Sequence, residues 1–253
     1  MVVFAGPTLP PHSAPPGAGI RLLPPAAQGD IHRAARDGAQ AIGLVDGAFE
    51  SVPAVWHKEI LWALSHGTPV FGSASLGALR AAELDTHGMT GVGEIYQAFR
   101  QGLLEDDDEV AVAHATSEFG FRPLSEAMVN IRWTIASAVR DAVIAPTTEE
   151  RLIAVAKGLY YPERGYGTLL RLAAASDVRH HELLALQNWL PGHRINRKRL
   201  DAHAMLQTMT AWQVQDTPLP CAPRFEPTAA WLRAMGEADE ANPPTPHGRC
   251  VTP

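Results

Sequence analysis

The strongest constraint on how this chain can fold is its rhythm. Short apolar runs recur at residues 2–5 (VVFA), 20–23 (IRLL), 41–45 (AIGLV), 69–72 (PVFG) and 110–114 (VAVAH), and most are separated by stretches of helical periodicity. Runs of this length with no polar alternation suit strands buried on both faces, and strands alternating with helices imply parallel pairing. The intervening helices are expected over 28–37, ended by Gly38; over 53–65, entered through Ser51 and Pro53; over 75–84; and over 91–101, ended by Gly102. The fold class expected is α/β, with an N-terminal lobe built on a mostly parallel sheet flanked by helices. From Leu124 to about Trp189 the strand signals stop and helical spacing takes over, which predicts a helical lobe. Proline rises sharply from Pro218 onward, with one short helix expected around Ala229–Met235. The organisation expected is a core over 1–135, a helical region over 136–217 and a Pro-rich, largely disordered tail over 218–253.

Composition narrows the function classes. The 253 residues are 46% hydrophobic and carry a formal net charge of −6, enough apolar content for a sizeable core and no basic footprint for nucleic acid. The local run RINRKR (194–199) could still touch an acidic surface. The two cysteines, Cys221 and Cys250, are too few and too late for a disulfide framework or a Cys-based zinc site. The N-terminal MVVFAGPTLPP has neither a basic start nor a long apolar run, so no secretory signal and no membrane span are expected, and a reducing cytoplasm fits. None of the histidines forms HExxH or another zinc spacing, although His57, His114 and His180–His181 stand out. No metal and no cofactor are expected. The acidic run EDDDE (105–109) offers oxygen ligands for a hard cation but reads better as a solvated face or a contact for a basic partner. There is no phosphate-binding glycine loop, and GMTGVGEIY (88–96) reads as a turn opening a helix.

Chemistry concentrates at VFGSASLGALRAAEL (70–84). Ser73-Ala74-Ser75-Leu76-Gly77 places small residues two positions either side of Ser75 between a strand and a helix. That pattern resembles a nucleophile elbow, where a cramped turn exposes one hydroxyl and the backbone N–H groups of Leu76 and Gly77 face an oxyanion. Serine as a helix cap explains the same residues without catalysis. A serine nucleophile needs a base, and only three lysines occur: Lys58, Lys157 and Lys198, against eighteen arginines. Lys58, with Val55, Leu61 and Trp62 at helical spacing, is the candidate for a desolvated lysine able to accept a proton, which arginine cannot do. Its side chain could instead snorkel into water. Ser73, Arg80, Glu83 and His57 are candidate substrate-binding residues, with Ser73 also the alternative nucleophile to Ser75 and an Arg80–Glu83 ion pair the simpler role for those two.

Seven segments together resemble one family: FAGPTLP (4–10), PPAAQGDIHRA (24–34), IGLVDGAFE (42–50), VPAVWHKEILWAL (52–64), FGSASLGALRAAEL (71–84), EDDDEVAVAH (105–114) and PLSEAMVNIR (123–132). They resemble the TfuA-like core over about residues 1–135. The resemblance implies a partner of a YcaO-type enzyme in backbone thioamidation of a ribosomal peptide. It implies a hydrolase that releases sulfide from the thiocarboxylated C-terminus of a ThiS-type sulfur carrier protein through a Ser–Lys pair, here Ser75 and Lys58, with the precursor peptide a further candidate partner. The alternatives are a non-catalytic adaptor that docks YcaO, peptide and carrier, or a general serine hydrolase.

Overall fold

The computed structural model describes residues 1–10, 12–48, 52–215 and 223–241. Ser51, Cys221, Cys250 and most prolines of the expected tail lie outside the described residues. The N-terminal half is built on strands β1 (Val2–Phe4), β2 (Arg21–Leu23), β3 (Ile42–Leu44), β4 (Val70–Ser73) and β5 (Thr90–Val92). They form one parallel sheet in the order β2-β1-β3-β4-β5. Helices α1 (Asp30–Arg36), α2 (His57–Ser65) and α3 (Leu76–Leu84) make the crossovers from β2 to β5, and α4 (Glu94–Arg100) follows β5.

The period of two along each strand decides which layer a side chain joins. Val2, Phe4, Ile42, Leu44 and Val70 pack with α1 to α4. Val3, Ala41, Val45 and Phe71 face the opposite side. No crossover helix covers that side near β1, because the described residues between β1 and β2 form none. The cover comes from far along the chain. After α5 (Met128–Arg140), α6 (Pro146–Lys157), α7 (Tyr166–Ala174) and α8 (His180–His193), helix α9 (Arg197–Gln215) returns across the sheet. It buries Ala202, Met205, Leu206 and Met209, spaced 3, 1 and 3 apart on one stripe, against Val3 and Phe71. Each large side chain so buried contributes about 1.5–3 kcal/mol. Gly43 makes the close approach of α9 feasible, since a Cβ there would lie 2.9 Å from both Met205 Cε and Met209 Sδ.

The helical lobe has its own core, including Ile131, Ile135, Leu152, Leu169 and Leu186. Helix α5 bridges the two halves: Val129 packs into the sheet core and Ile131 into the helical one, so residue 135, the expected end of the α/β core, falls inside it. Helix α10 (Ala229–Ala241) covers the expected 229–235 and docks on the rest of the protein through buried Trp231 and Met235.

Two expectations are corrected. Residues 110–114 are not a strand: apart from an isolated bridge between His114 and Pro123 they form a loop. Their apolar character serves packing, with Val110 and Val112 set against the sheet core. The fifth strand is instead Thr90–Val92, inside the segment read as a turn, and Gly91 there leaves room for the Tyr96 ring, which would lie 2.3 Å from a Cβ.

Candidate active site

The sheet order reverses direction at β1 and β3, and open α/β sheets bind ligands beyond the carboxyl ends of their strands at such a point. A cleft of about 470 Å³ lies there, lined by Pro7 after β1, Asp46 and Gly47 after β3, Ser75 and Leu76 after β4, Val110 and His114 from the following loop, and Lys198 from α9.

Ser75 reaches the cleft through a strained turn. Its N–H donates to the Ser73 carbonyl at 2.8 Å across Ala74, whose φ is 67°. A three-residue turn with that sign of φ is rare and costs about 1–3 kcal/mol in a residue with a side chain. Burial of Ala74 against the α9 side of the sheet holds it there. The turn puts Ser75 at the start of α3, where the helix's positive end favours an anion. Ser75 Oγ lies 3.5 Å from the Val110 carbonyl oxygen.

Lys198 meets Ser75 at that oxygen. Its Nζ donates to the Val110 carbonyl at 2.8 Å and stands 3.8 Å from Asp46 Oδ1. The residue is 3% exposed, and burial pushes its pKa down, against the opposing pull of Asp46 and Glu126. Its place in the first turn of α9 also disfavours the ammonium form. Helix α9 starts here because Asn196 Oδ1 accepts from the Arg199 N–H at 2.9 Å, while Asn130 Oδ1 accepts from the Lys198 N–H at 3.2 Å.

The carbonyl they share is held by an ion cluster. Asp106, Asp108 and Glu109 converge closely enough to chelate a cation, but side chains neutralise them. Lys157 Nζ lies 3.0 Å from both Asp106 and Glu109 and also bonds Asp108; Arg132 grips Glu109 at 2.8 and 2.9 Å; buried Arg164 bonds the Asp108 carboxylate and, at 2.7 Å, its carbonyl. Burial raises the Asp108 pKa, yet its bonds to Lys157 and Arg164 outweigh that and hold it below the usual carboxylate range. The acidic run thus works mainly as an internal clamp on the loop, with Glu105, Asp106 and Asp107 at the cleft's edge.

The other expected site residues separate. Lys58 is not brought to Ser75: half-buried, it donates to Thr228 Oγ1 at 3.3 Å and lies over the Phe225 ring, so it anchors the segment leading into α10. Ser73 is fully buried and donates to the Val92 carbonyl at 2.7 Å, tying β4 to β5 away from the cleft. Gly77 is no oxyanion donor, because its N–H is engaged by the Val45 carbonyl at 3.2 Å. Leu76 N–H has no partner among the described residues, and neither has the N–H of Gly47, which packs directly against Leu76. These two cleft-lining residues offer the free donors. Arg80 and Glu83 line the cleft and form the expected ion pair at 2.8 Å, with His57 Nε2 2.7 Å from the same Glu83 oxygen. Burial raises the Glu83 pKa, but hydrogen bonds from His57 and Arg80 hold it below its ordinary value.

Sequence reasoning missed Lys198, Asp46 and Gly47. The signal for Lys198 was its being one of three lysines in an arginine-rich chain. Its setting in RINRKR disguised it as surface.

Residues 46–165 match the model of a family described as TfuA-like protein, from Asp46 through the Ser75 turn and the acidic clamp to Gly165. This stretch is a TfuA-like domain. No curated protein matches the chain. The TfuA-like match supports a role in thioamidation-related biosynthesis at the level of the family, whose members are associated with YcaO enzymes. Lys198 lies beyond the matched residues and comes to the site only through the fold. Among the described residues, no helix is long and apolar enough to cross a membrane.

Proposed function

We propose that this TfuA-like protein is a hydrolase that releases sulfide from a protein thiocarboxylate, with Ser75 as nucleophile and Lys198, in place of Lys58, as its base. The observation that carries the reading is the meeting of Ser75 Oγ and Lys198 Nζ at one carbonyl oxygen on the cleft floor. Burial lowers the pKa of Lys198, which favours the neutral amine that a general base requires.

Ser75 oxygen attacks the thiocarboxylate carbon as its proton passes to Lys198. The tetrahedral oxyanion is stabilised by the Leu76 and Gly47 N–H groups and the positive end of α3. The C–S bond breaks with its electron pair on sulfur, and Lys198 returns the proton to the leaving sulfide. A water deprotonated by Lys198 then attacks the Ser75 ester, which frees a carboxylate and restores the hydroxyl. A thiocarboxylated ThiS-type carrier is the substrate this chemistry suits, and a YcaO-type enzyme would consume the sulfide in thioamidating a ribosomal peptide.

The test is to incubate the pure protein with thiocarboxylated carrier and follow sulfide. The reading expects turnover by the wild type and a loss of at least about a hundredfold in Ser75→Ala. Absence of turnover by a protein that still supports YcaO thioamidation would make it an adaptor, and cleavage of simple esters at comparable rates would make it a general hydrolase.

A further inference from the structure

We infer that Asp46 is a positioning residue that sets the basicity of Lys198, an assignment that rests on the Ser75–Lys198 reading above. Asp46 follows β3 and is 2% exposed. Its Oδ2 accepts from the Gly6 N–H at 2.9 Å and the Thr8 N–H at 3.0 Å, and its Oδ1 accepts from Thr8 Oγ1 at 2.6 Å. Three donors fix where the carboxylate stands. Lys198 Nζ is 3.8 Å from Oδ1, too far for a hydrogen bond and close enough for a strong charge interaction in a buried site. The spacing is the point of the arrangement. A direct contact would lock Lys198 as an ammonium and remove the base. No counter-charge would leave it a weaker base, less able to draw a proton from serine. Thr8 Oγ1, at 2.6 Å, and Lys198 Nζ, at 3.8 Å, share the same Oδ1, and Thr8 holds the hydrogen bond.

The remaining charges around Lys198 are accounted for. Arg197 on its own helix is paired with Asp201 and with Glu94, and Arg199 is exposed. From the segment before α5, Glu126 accepts from Asn130 Nδ2 at 2.7 Å. From the loop below, Glu109 is held by Arg132 and Lys157. On the cleft walls stand the Arg80–Glu83 pair, His114, Glu105, Asp106 and Asp107.

The experiment is the pH profile of Ser75 modification by a fluorophosphonate, read by intact mass, in the full chain. The wild type should show a rate that rises with pH along a limb that Lys198→Met abolishes. Asp46→Asn keeps the shape and removes the charge, so Lys198 becomes more acidic. The limb should move about one to two pH units lower and the plateau should fall with the weaker base. Thr8→Val frees Oδ1 to approach Lys198, so the limb should move to higher pH. A purely structural role would lower the rate in both variants without moving either limb. Folded variants whose limbs coincide with the wild type overturn the assignment to Asp46, and if Asp46→Asn does not fold, Thr8→Val alone decides. A wild-type profile with no limb that depends on Lys198 overturns the Ser75–Lys198 pair itself.

Discussion

Replacing Gly77 by alanine sets helix propensity against packing. Gly77 lies in the first turn of α3, where alanine is intrinsically better by about 1 kcal/mol. A Cβ at this position would fall 1.7 Å from the Leu44 carbonyl oxygen and 2.6 Å from its carbon, both backbone atoms of a central strand. Neither atom can swing aside, so α3 must retreat from β3 by more than about 1 Å. Overpacking of this kind costs about 1–3 kcal/mol, and retreat also breaks the Gly77–Val45 hydrogen bond, leaving a buried group unpaired at about 1–3 kcal/mol. After the propensity gain the variant should be about 2–4 kcal/mol less stable, a fall in Tm of roughly 5–12 °C. Because the same helix start carries Ser75, a shift of 1 Å should also slow Ser75 modification by about a hundredfold. Gly167→Ala in α7, where nothing lies within 4 Å of the added Cβ, is the control and should gain about 0.5–1 kcal/mol. Calorimetry on both variants checks the reasoning. A Gly77→Ala protein as stable as the wild type would show that the contact between α3 and β3 is not tight.

Three further outcomes concern Lys58, Ser73 and the acidic clamp. Lys58→Ala should leave sulfide release unchanged and loosen the docking of α10, seen as a red shift of Trp231 fluorescence. Ser73→Ala should retain activity and lose about 1 kcal/mol of stability in denaturant titration, because only the bond to Val92 is removed. Asp108 is held below its ordinary pKa, so its contribution is present above about pH 4 and is lost as pH falls through the lower native value. Lys157→Met should therefore lower Tm at pH 7 and flatten the decline of Tm between pH 5 and 3.

The parallel sheet and its flanking helices were legible because each buried strand is written as a short apolar run. The β5 assignment failed for a physical reason. Thr-Gly-Val is a strand by virtue of its neighbours, Ser73 and Tyr96, whereas Val110–His114 carries a strand's composition for packing reasons alone. Ser75 was legible because the strained turn needs small residues around it. The lysine proposed as its base was not, since apolar neighbours at helical spacing describe only the helix a lysine sits on. Lys58 has such neighbours and its side chain turns to the C-terminal segment. Lys198 has arginines on both sides in the chain and is buried by elements from three other places. Asp46 reads as an ordinary turn residue until the Gly6–Thr8 loop is seen to close on it.

The most direct test of the account is the rate at which a fluorophosphonate modifies Ser75 at pH 7 in three proteins. Lys198→Met keeps the volume of the buried side chain and removes the base, so labelling should slow at least about a hundredfold while the fold persists. Wild type and Lys58→Ala should label at the same rate. Rapid labelling of Lys198→Met, or its loss in Lys58→Ala, would contradict the pairing of Ser75 with Lys198.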